Sequence, residues 1–427
     1  MRDTQLFTEE FLTTPWWWRK VRFPQSNTRP AIKDYDVIII GAGYTGCHAA
    51  LETLKAGLRT LVLDAQDFGN GCSGKNGGHL SSSIKPDLAT LCRRHGKHLA
   101  AAIWSEGENA LDYTVDFIKK RQLVCDLEPC GRLIAAHNKR QFRILKRKYT
   151  GISGSRILEK DQLATEIRTD SYQGGVIVDR VYALHPGKYL SGLLYEVMAT
   201  GASIQDQTPV IAINHEPAGF SVQTPGERIF CRKIILATNG YTGPLSPWQQ
   251  RRIIPIASSI IATEALGQQR IKQLIPGLRL IIDTRRLLTY YRPSPDGERI
   301  LFGGRVSARV LPEKESAVLL HRALCQLFPE LHNIRIEHSW IGNVAYTFDT
   351  LPHIGEHEGI HYAMGYCGSG VSLASYFGHR IGQKVAGMTA GKTALDNIPF
   401  QSRPGYNGDP WFLSPTITFN RLLDRIM

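Results

Sequence analysis

The sequence predicts an α/β protein built on a parallel sheet with helices on both faces. Three observations carry that prediction: a continuous apolar run at Val37–Ile40, a Gly-x-Gly-x-x-Gly turn directly after it at residues 41–46, and a second apolar run ending on Asp64. A strand that is apolar without alternation is one covered on both faces, as parallel strands are. The glycine turn follows a strand, opens a helical segment and lies 64 − 41 = 23 residues before an acid, close to the roughly 20 of a dinucleotide-binding unit. The combination defines a Rossmann-like unit, where the glycine motif alone would be weak.

Each position has a physical role. Gly41 permits the tight turn, Gly43 lets the backbone approach a pyrophosphate, and Gly46 lets the helix pack closely on the strand. Tyr44 and Thr45 open that helix, whose N-terminal amides and dipole suit a pyrophosphate. Asp64, followed by Ala65, is positioned to accept hydrogen bonds from an adenosine ribose and would repel the 2′-phosphate of NADP. On the fingerprint alone FAD and NAD remain alternatives, and the chain has one fingerprint at full strength.

A second glycine-rich stretch, GNGCSGKNGG at 69–78, comes close to a nucleotide-binding P-loop through Gly69, Gly74 and Lys75. The next residue is Asn76, which lacks the hydroxyl a P-loop places on magnesium. Ser73, Gly74, Lys75, Asn76, Gly77 and Gly78 instead suit a second backbone nest, cradling the far end of a long dinucleotide.

Composition narrows the class. At 427 residues the chain exceeds the size of a single growing core, so two domains or an interleaved pair are expected. No apolar run reaches the roughly 18 residues of a membrane span, and MRDTQLFTEE is not a signal peptide, so the cytoplasm is the expected location. Eight scattered cysteines without a C-x-x-C pair predict reduced thiols and no metal site. The net charge of +13 invites a nucleic-acid hypothesis. Much of the excess, however, lies in stretches such as 138–149, where Phe142, Leu145 and Tyr149 recur at helical spacing, as on a solvated amphipathic helix. Nucleic acid is therefore not the expected partner.

From PWWW at 15–18 to beyond residue 385 the ordered motifs resemble the D-amino-acid-oxidase-like FAD-dependent oxidoreductases, in particular the bacterial branch of gamma-glutamylputrescine oxidoreductase. The resemblance places a loop G-x-S-x-x-N-x-G, here Gly71, Ser73, Asn76 and Gly78, against the flavin end of FAD. HPGKY at 185–189 and TPVIAI at 208–213 follow the family order, with Val210 implied as a backbone contact to adenine. KIILATNGYT at 233–242 resembles the second cofactor motif, delivering Ala237, Thr238, Asn239 and Gly240 beside the dinucleotide. TFDTLPHIG, the strand HYAMGY and then Cys367-Gly368-Ser369-Gly370-Val371 resemble the motif at the pyrimidine edge of the flavin. There the family commonly has Ser-Gly-His-Gly, so a histidine is replaced and a thiol introduced. The positions that carry a covalent flavin link in relatives read Asn343-Val344-Ala345 and Lys75, which implies non-covalent FAD. The strand that bears an oxygen-assisting lysine in some oxidases reads Ile300-Leu301-Phe302, leaving oxidase and dehydrogenase both open.

The resemblance implies a Rossmann-like FAD-binding domain at 35–95, 185–245 and 340–395, and a discontinuous antiparallel-sheet substrate domain at 96–184 and 246–339. An N-terminal arm (1–34) and a C-terminal segment (396–427) complete the chain. The implied reaction is oxidation of the C–N bond of a small amine or amino acid by hydride transfer to flavin N5, giving an imine that hydrolyses, with oxygen or a quinone as electron acceptor. The alternatives are an RNA-modifying flavoenzyme and a non-catalytic flavoprotein subunit. Candidate catalytic residues are His79, directly after the glycine loop, and Tyr291 and Arg292 of the hairpin YYRPSPDGERILFGGR. Arg292 could hold a substrate carboxylate or serve only as an ion-pair partner. Tyr290 and Tyr291 point to opposite faces of a strand, so one of them packs. His353 could approach the site or be structural. Trp16–Trp18 read as an arm that seals a groove. The C-terminal WFLSPTITFNRLLDRIM has the mixture of apolar and basic residues that touches membrane surfaces, although packing on the FAD-binding part is expected of it.

Overall fold

The computed structural model describes residues 6–27, 34–305, 310–413 and 415–417. Strand Asp34–Ile40 runs parallel between Thr60–Leu63 and Arg228–Leu236, with Ser203–Gln205 and Ile360–Met364 in parallel beyond them. The C-terminal ends of five parallel strands therefore meet along one edge. Double coverage is visible residue by residue: Val37 and Ile39 join one core, while Ile38 and Ile40 join the core on the opposite face.

The long helices gather on one face only. Tyr44–Lys55 and Gly370–Val385 pack against each other there, with Pro186–Ala199 and Leu88–Lys120 alongside. The other face is covered by Phe220 and Val222 of the hairpin Ala212–Gln223, by Trp248 and by Phe400, in place of the helices expected there. That segment is broken by Pro-Ala-Gly at the hairpin turn and rich in strand formers, so it cannot supply an amphipathic helix.

A second sheet has nine strands among the described residues, in the order 7–12, 336–346, 254–263, 300–304, 289–293, 280–283, 132–135, 175–178 and 155–158. It is largely antiparallel and drawn from three separate parts of the chain. Its far face buries Leu133, Ile281, Tyr291, Phe302 and Ile261 against helix Glu313–Leu327, and its near face turns toward the glycine loops.

Two elements fall differently from the expected division. Residues 96–120 belong to helix Leu88–Lys120, which packs on helix Gly370–Val385 and shares the first sheet's core. Residues 340–346 belong to strand Ile336–Tyr346 of the nine-stranded sheet. The helix 139–149 is amphipathic as read, burying Phe142 and Leu145, and all eight cysteines are free. Among the described residues no helix is long and apolar enough to cross a membrane. Of the C-terminal stretch 411–427, most lies outside the described residues; Trp411 is exposed and Phe412 sits beside Phe348 and Tyr406.

Candidate active site

The glycine fingerprint ends the first parallel strand in a turn with almost no room. A Cβ on Gly41, whose φ is +108°, would lie 2.8 Å from the Ala237 carbonyl oxygen, and one on Gly46 would lie 1.9 Å from the Gly41 oxygen. The first contact brings the 237–240 turn against the fingerprint, and the second seats the helix on its strand. Asp64 accepts from the Ala42 amide at 2.8 Å and the Gln66 amide at 3.2 Å. Burial nevertheless pushes its carboxyl above the usual range. The Thr208 amide donates to the Asp64 carbonyl at 2.8 Å, drawing 208–210 alongside. Val210 is half-buried there, and the strand proper starts only at Ala212.

Asn239 ties two turns together. Its side chain, on a residue with φ of +46°, accepts from the Gly365 amide at 2.9 Å, while Gly240 backs onto the carbonyl of Asn343. Cys367 and Gly368 both have positive φ, and helix Gly370–Val385 starts directly after them. The Cys367 thiol points inward to the Gly365 carbonyl at 3.2 Å, and burial pushes it up to about 11. It is an un-ionised thiol at neutral pH.

The loop 69–78 holds one helical turn, Cys72–Lys75. Asn76 closes it by donating to the carbonyls of Cys72 and Ser73 at 3.1 and 3.0 Å and accepting from the Gly78 amide at 2.8 Å. The residue that breaks the P-loop pattern thus shapes a different turn. Ser73 accepts from the Tyr44 amide at 3.0 Å, joining this loop to the start of the fingerprint helix. Two buried indoles hold it from the other side, Trp17 donating to the Asn76 carbonyl at 2.9 Å and Trp340 to the Lys75 carbonyl at 2.8 Å. The Lys75 ammonium lies 5.8 Å from the Trp18 ring centroid, and burial lowers its pKa.

Beyond the loop stands the near face of the nine-stranded sheet. Tyr290, rather than Tyr291, belongs to this face: its ring would be 3.1 Å from a Cβ on Gly77, it meets the His79 ring edge-on at 5.9 Å, and its hydroxyl pairs with Ser258 at 3.0 Å. Tyr291 is a correction to the expected site, because it is fully buried on the far face with its hydroxyl 3.1 Å from that of Tyr172. Arg292 does reach the loop, its guanidinium backing onto Gly78. Its Nε donates to the Pro293 carbonyl and its Nη1 to the Leu184 carbonyl, each at 3.0 Å. The carboxylate fork expected of it is therefore largely spent on the backbone. His79 begins the short strand His79–Ser81, with an Nε2 that is out of solvent and has no protein partner. Burial, then the charges of Arg292 and Arg132, hold its pKa well below the usual imidazole value, so it is neutral at pH 7. His353 is structural: it pairs with Asp349 at 3.1 Å and stacks on Phe400 at 4.1 Å.

The sequence model of the D-amino-acid-oxidase family, described as "FAD dependent oxidoreductase", matches residues 36–384. This chain belongs to that family. Among its relatives, the probable oxidoreductase OrdL of Haemophilus influenzae is 29% identical over 83% of this chain and 84% of its own. The gamma-glutamylputrescine oxidoreductase of Escherichia coli K12 is 28% identical over 87% and 88%. Among solved structures, glycine oxidase from Geobacillus kaustophilus superposes with a TM-score of 0.70 at 20% identity, covering 87% of this chain and 99% of that one.

FAD is the cofactor of the family, and the residues present fit it. The strand ends, two helix N-termini and Asp64 converge as a dinucleotide requires, and the side-chain-free edges of Gly41, Gly43 and Gly46 allow close backbone approach. As a flavoenzyme of this family, the chain has four residues at the near face that sequence reading missed or undervalued: Tyr290, Ser258, Trp340 and Arg132. Alternation along 289–293 narrowed the first to a choice of two. The others become neighbours only through the register of distant strands.

Proposed function

We propose that this flavoenzyme oxidises the C–N bond of a small amine or amino acid, with FAD held non-covalently. The observation that carries the reading is the near-face wall of Tyr290, neutral His79 and Arg292 against the end of the loop at Gly77–Gly78. A desolvated site facing fixed positive charge disfavours an ammonium ion, so a bound amine loses its proton to solvent before reaction without a dedicated base. Tyr290 supplies apolar surface that orients the substrate and excludes water, while Trp17, buried under the loop, holds that loop in place. Bound FAD supplies the two-electron acceptor for the hydride leaving the amine-bearing carbon, after which water hydrolyses the imine to a carbonyl compound and the free amine or ammonia. The names of two related proteins point the same way, one an oxidoreductase named for gamma-glutamylputrescine and the other an oxidase named for glycine. Cofactor contacts in this reading come from Gly41, residues 43–46, Asp64, Ala65, 73–78, Val210, 237–240 and 367–371. Oxygen or a quinone would serve as the final electron acceptor.

The test starts with the visible spectrum before and after acid precipitation. A flavin spectrum that leaves with the supernatant is expected; colour kept in the pellet would overturn non-covalent binding. Anaerobic mixing with a panel of primary and secondary amines should then bleach the flavin. A fully loaded protein that no amine bleaches would sink the C–N reading while leaving the family intact.

A further inference from the structure

Arg132 is a near-face cation that the proposed chemistry leaves without a task. The sheet register sets Arg132 across from Leu280, and carries Arg292 to the other side of Leu280. The two arginines thus lie two strands apart on the same face, about 10 Å between backbones. Arg132 meets the first strand after the glycine loop: its Nη1 lies 3.5 Å from the Ser81 hydroxyl and its Nη2 3.3 Å from that of Ser83, both long for hydrogen bonds. Its Nε is shielded from solvent and has no protein partner. Other part-buried arginines of this sheet are treated differently, because Arg279 holds Glu166 at 2.8 Å and Arg299 holds Glu337 at 2.6 Å. Among the described residues Arg132 has no such acid. The groups facing it are the Ser81 and Ser83 hydroxyls, His79, whose imidazole senses its charge, and Tyr149.

A guanidinium removed from water without an anion is costly, and a planar carboxylate is what its fork best accepts. Ser81 lies on the same side of its strand as His79, two residues and roughly 6–7 Å further from the glycine loop. We infer that Arg132, with Ser81 and Ser83, forms a subsite for a carboxylate at the far end of the substrate, remote from the amine-bearing carbon. The substrate class is then an amine carrying a distal carboxylate, several bonds away, in place of a simple α-amino acid. The inference rests on the proposed reaction centre at the loop end.

The test uses FAD-loaded protein and two non-oxidisable probes, glutarate and its uncharged diamide, read by perturbation of the flavin spectrum and by thermal shift. Glutarate should bind at least tenfold more tightly than the diamide. Arg132→Met should erase that preference with FAD content retained, and Arg132→Lys should keep part of it. Equal binding of diamide and glutarate to the unaltered protein would overturn the subsite, whatever the variants do, as would an Arg132→Met protein that binds glutarate undiminished. If Arg132→Met does not fold, Ser81→Ala/Ser83→Ala replaces it and should weaken glutarate alone. Turnover adds a second readout: 5-aminopentanoate should exceed both pentylamine and glycine in kcat/KM by tenfold or more, and the reverse order would overturn the inference. Glutarate binding without bleaching by any amine would leave the subsite standing and remove the C–N chemistry instead.

Discussion

Two adjacent tyrosines show how much one residue of register decides. Tyr291 is sealed among Ile281, Phe302 and Phe328, whereas Tyr290 meets the glycine loop. Replacing Tyr291 by Phe should lower stability by about 1 kcal/mol, the net worth of its bond to Tyr172, with kcat and KM for an accepted amine nearly unchanged. The Tyr290→Phe variant should differ in its kinetics, with a loss of stability of no more than about 1 kcal/mol from its part-buried bond to Ser258 but a several-fold change in kcat/KM. Urea unfolding and steady-state kinetics on both proteins separate the two roles. If the kinetic loss followed Tyr291, the orientation of the strand would be wrong.

At the scale of elements, the N-terminal arm is part of the site. Strand Phe7–Leu12 pairs with Ile336–Tyr346, His338 binds the Thr14 carbonyl at 2.9 Å, and the chain then turns Trp17 into a fully buried position under the loop. Trp17 and Trp340 hold successive carbonyls of that loop, so each restrains the same short segment. Trp17→Phe should cost about 1 kcal/mol or more through an unsatisfied buried carbonyl and lost packing, and should weaken FAD binding about tenfold. Combined with Trp340→Phe, the effect on FAD affinity should be less than additive, because one loosened loop cannot be loosened twice. Flavin fluorescence titrations of the two single variants and the double variant would check this; strict additivity would mean that the indoles act on separate structures.

The whole molecule carries histidines whose burial links stability to pH. Burial and the neighbouring His379 charge hold His48 down to about 3, and burial, only partly offset by Asp126, holds His185 down to about 4. Both are packed into the helical layer, His48 between the hydroxyls of Tyr113 and Tyr189, and His185 as the cap of helix Pro186–Ala199. An unfolded imidazole takes up its proton near pH 6.5. Between that pH and the folded values the unfolded chain binds more protons, so acid favours unfolding. Their stabilisation is complete above about pH 7 and declines as pH falls toward 4, by up to about 1.4 kcal/mol per pH unit for each histidine. Urea midpoints should therefore fall between pH 7.5 and pH 5, before most carboxylates titrate, and the His185→Asn protein should show a shallower fall. A midpoint independent of pH over that range would exclude the link. The net charge of +13 adds self-repulsion that grows with each added proton.

The nucleotide-binding half was legible because its physics is local. A glycine turn, the strand before it, the helix after it and the acid ending the next strand lie within one short stretch, and each residue type answers a constraint set by its immediate neighbours. The same holds for Asn76, which marked a departure from a P-loop before its role in closing the turn was visible, and for the hairpin at 289–304. The near-face wall was not legible in this way. Arg132, Ser258, Tyr290 and Trp340 are scattered over 209 positions (340 − 132 = 208 intervening steps), and only strand pairing across the sheet sets them on one side. A one-residue change of register would turn all four away. Sequence by itself determined the kind of cofactor and the chemical family; the tertiary structure decided which side chains face the substrate, because that depends on long-range pairing and burial, which no local pattern encodes.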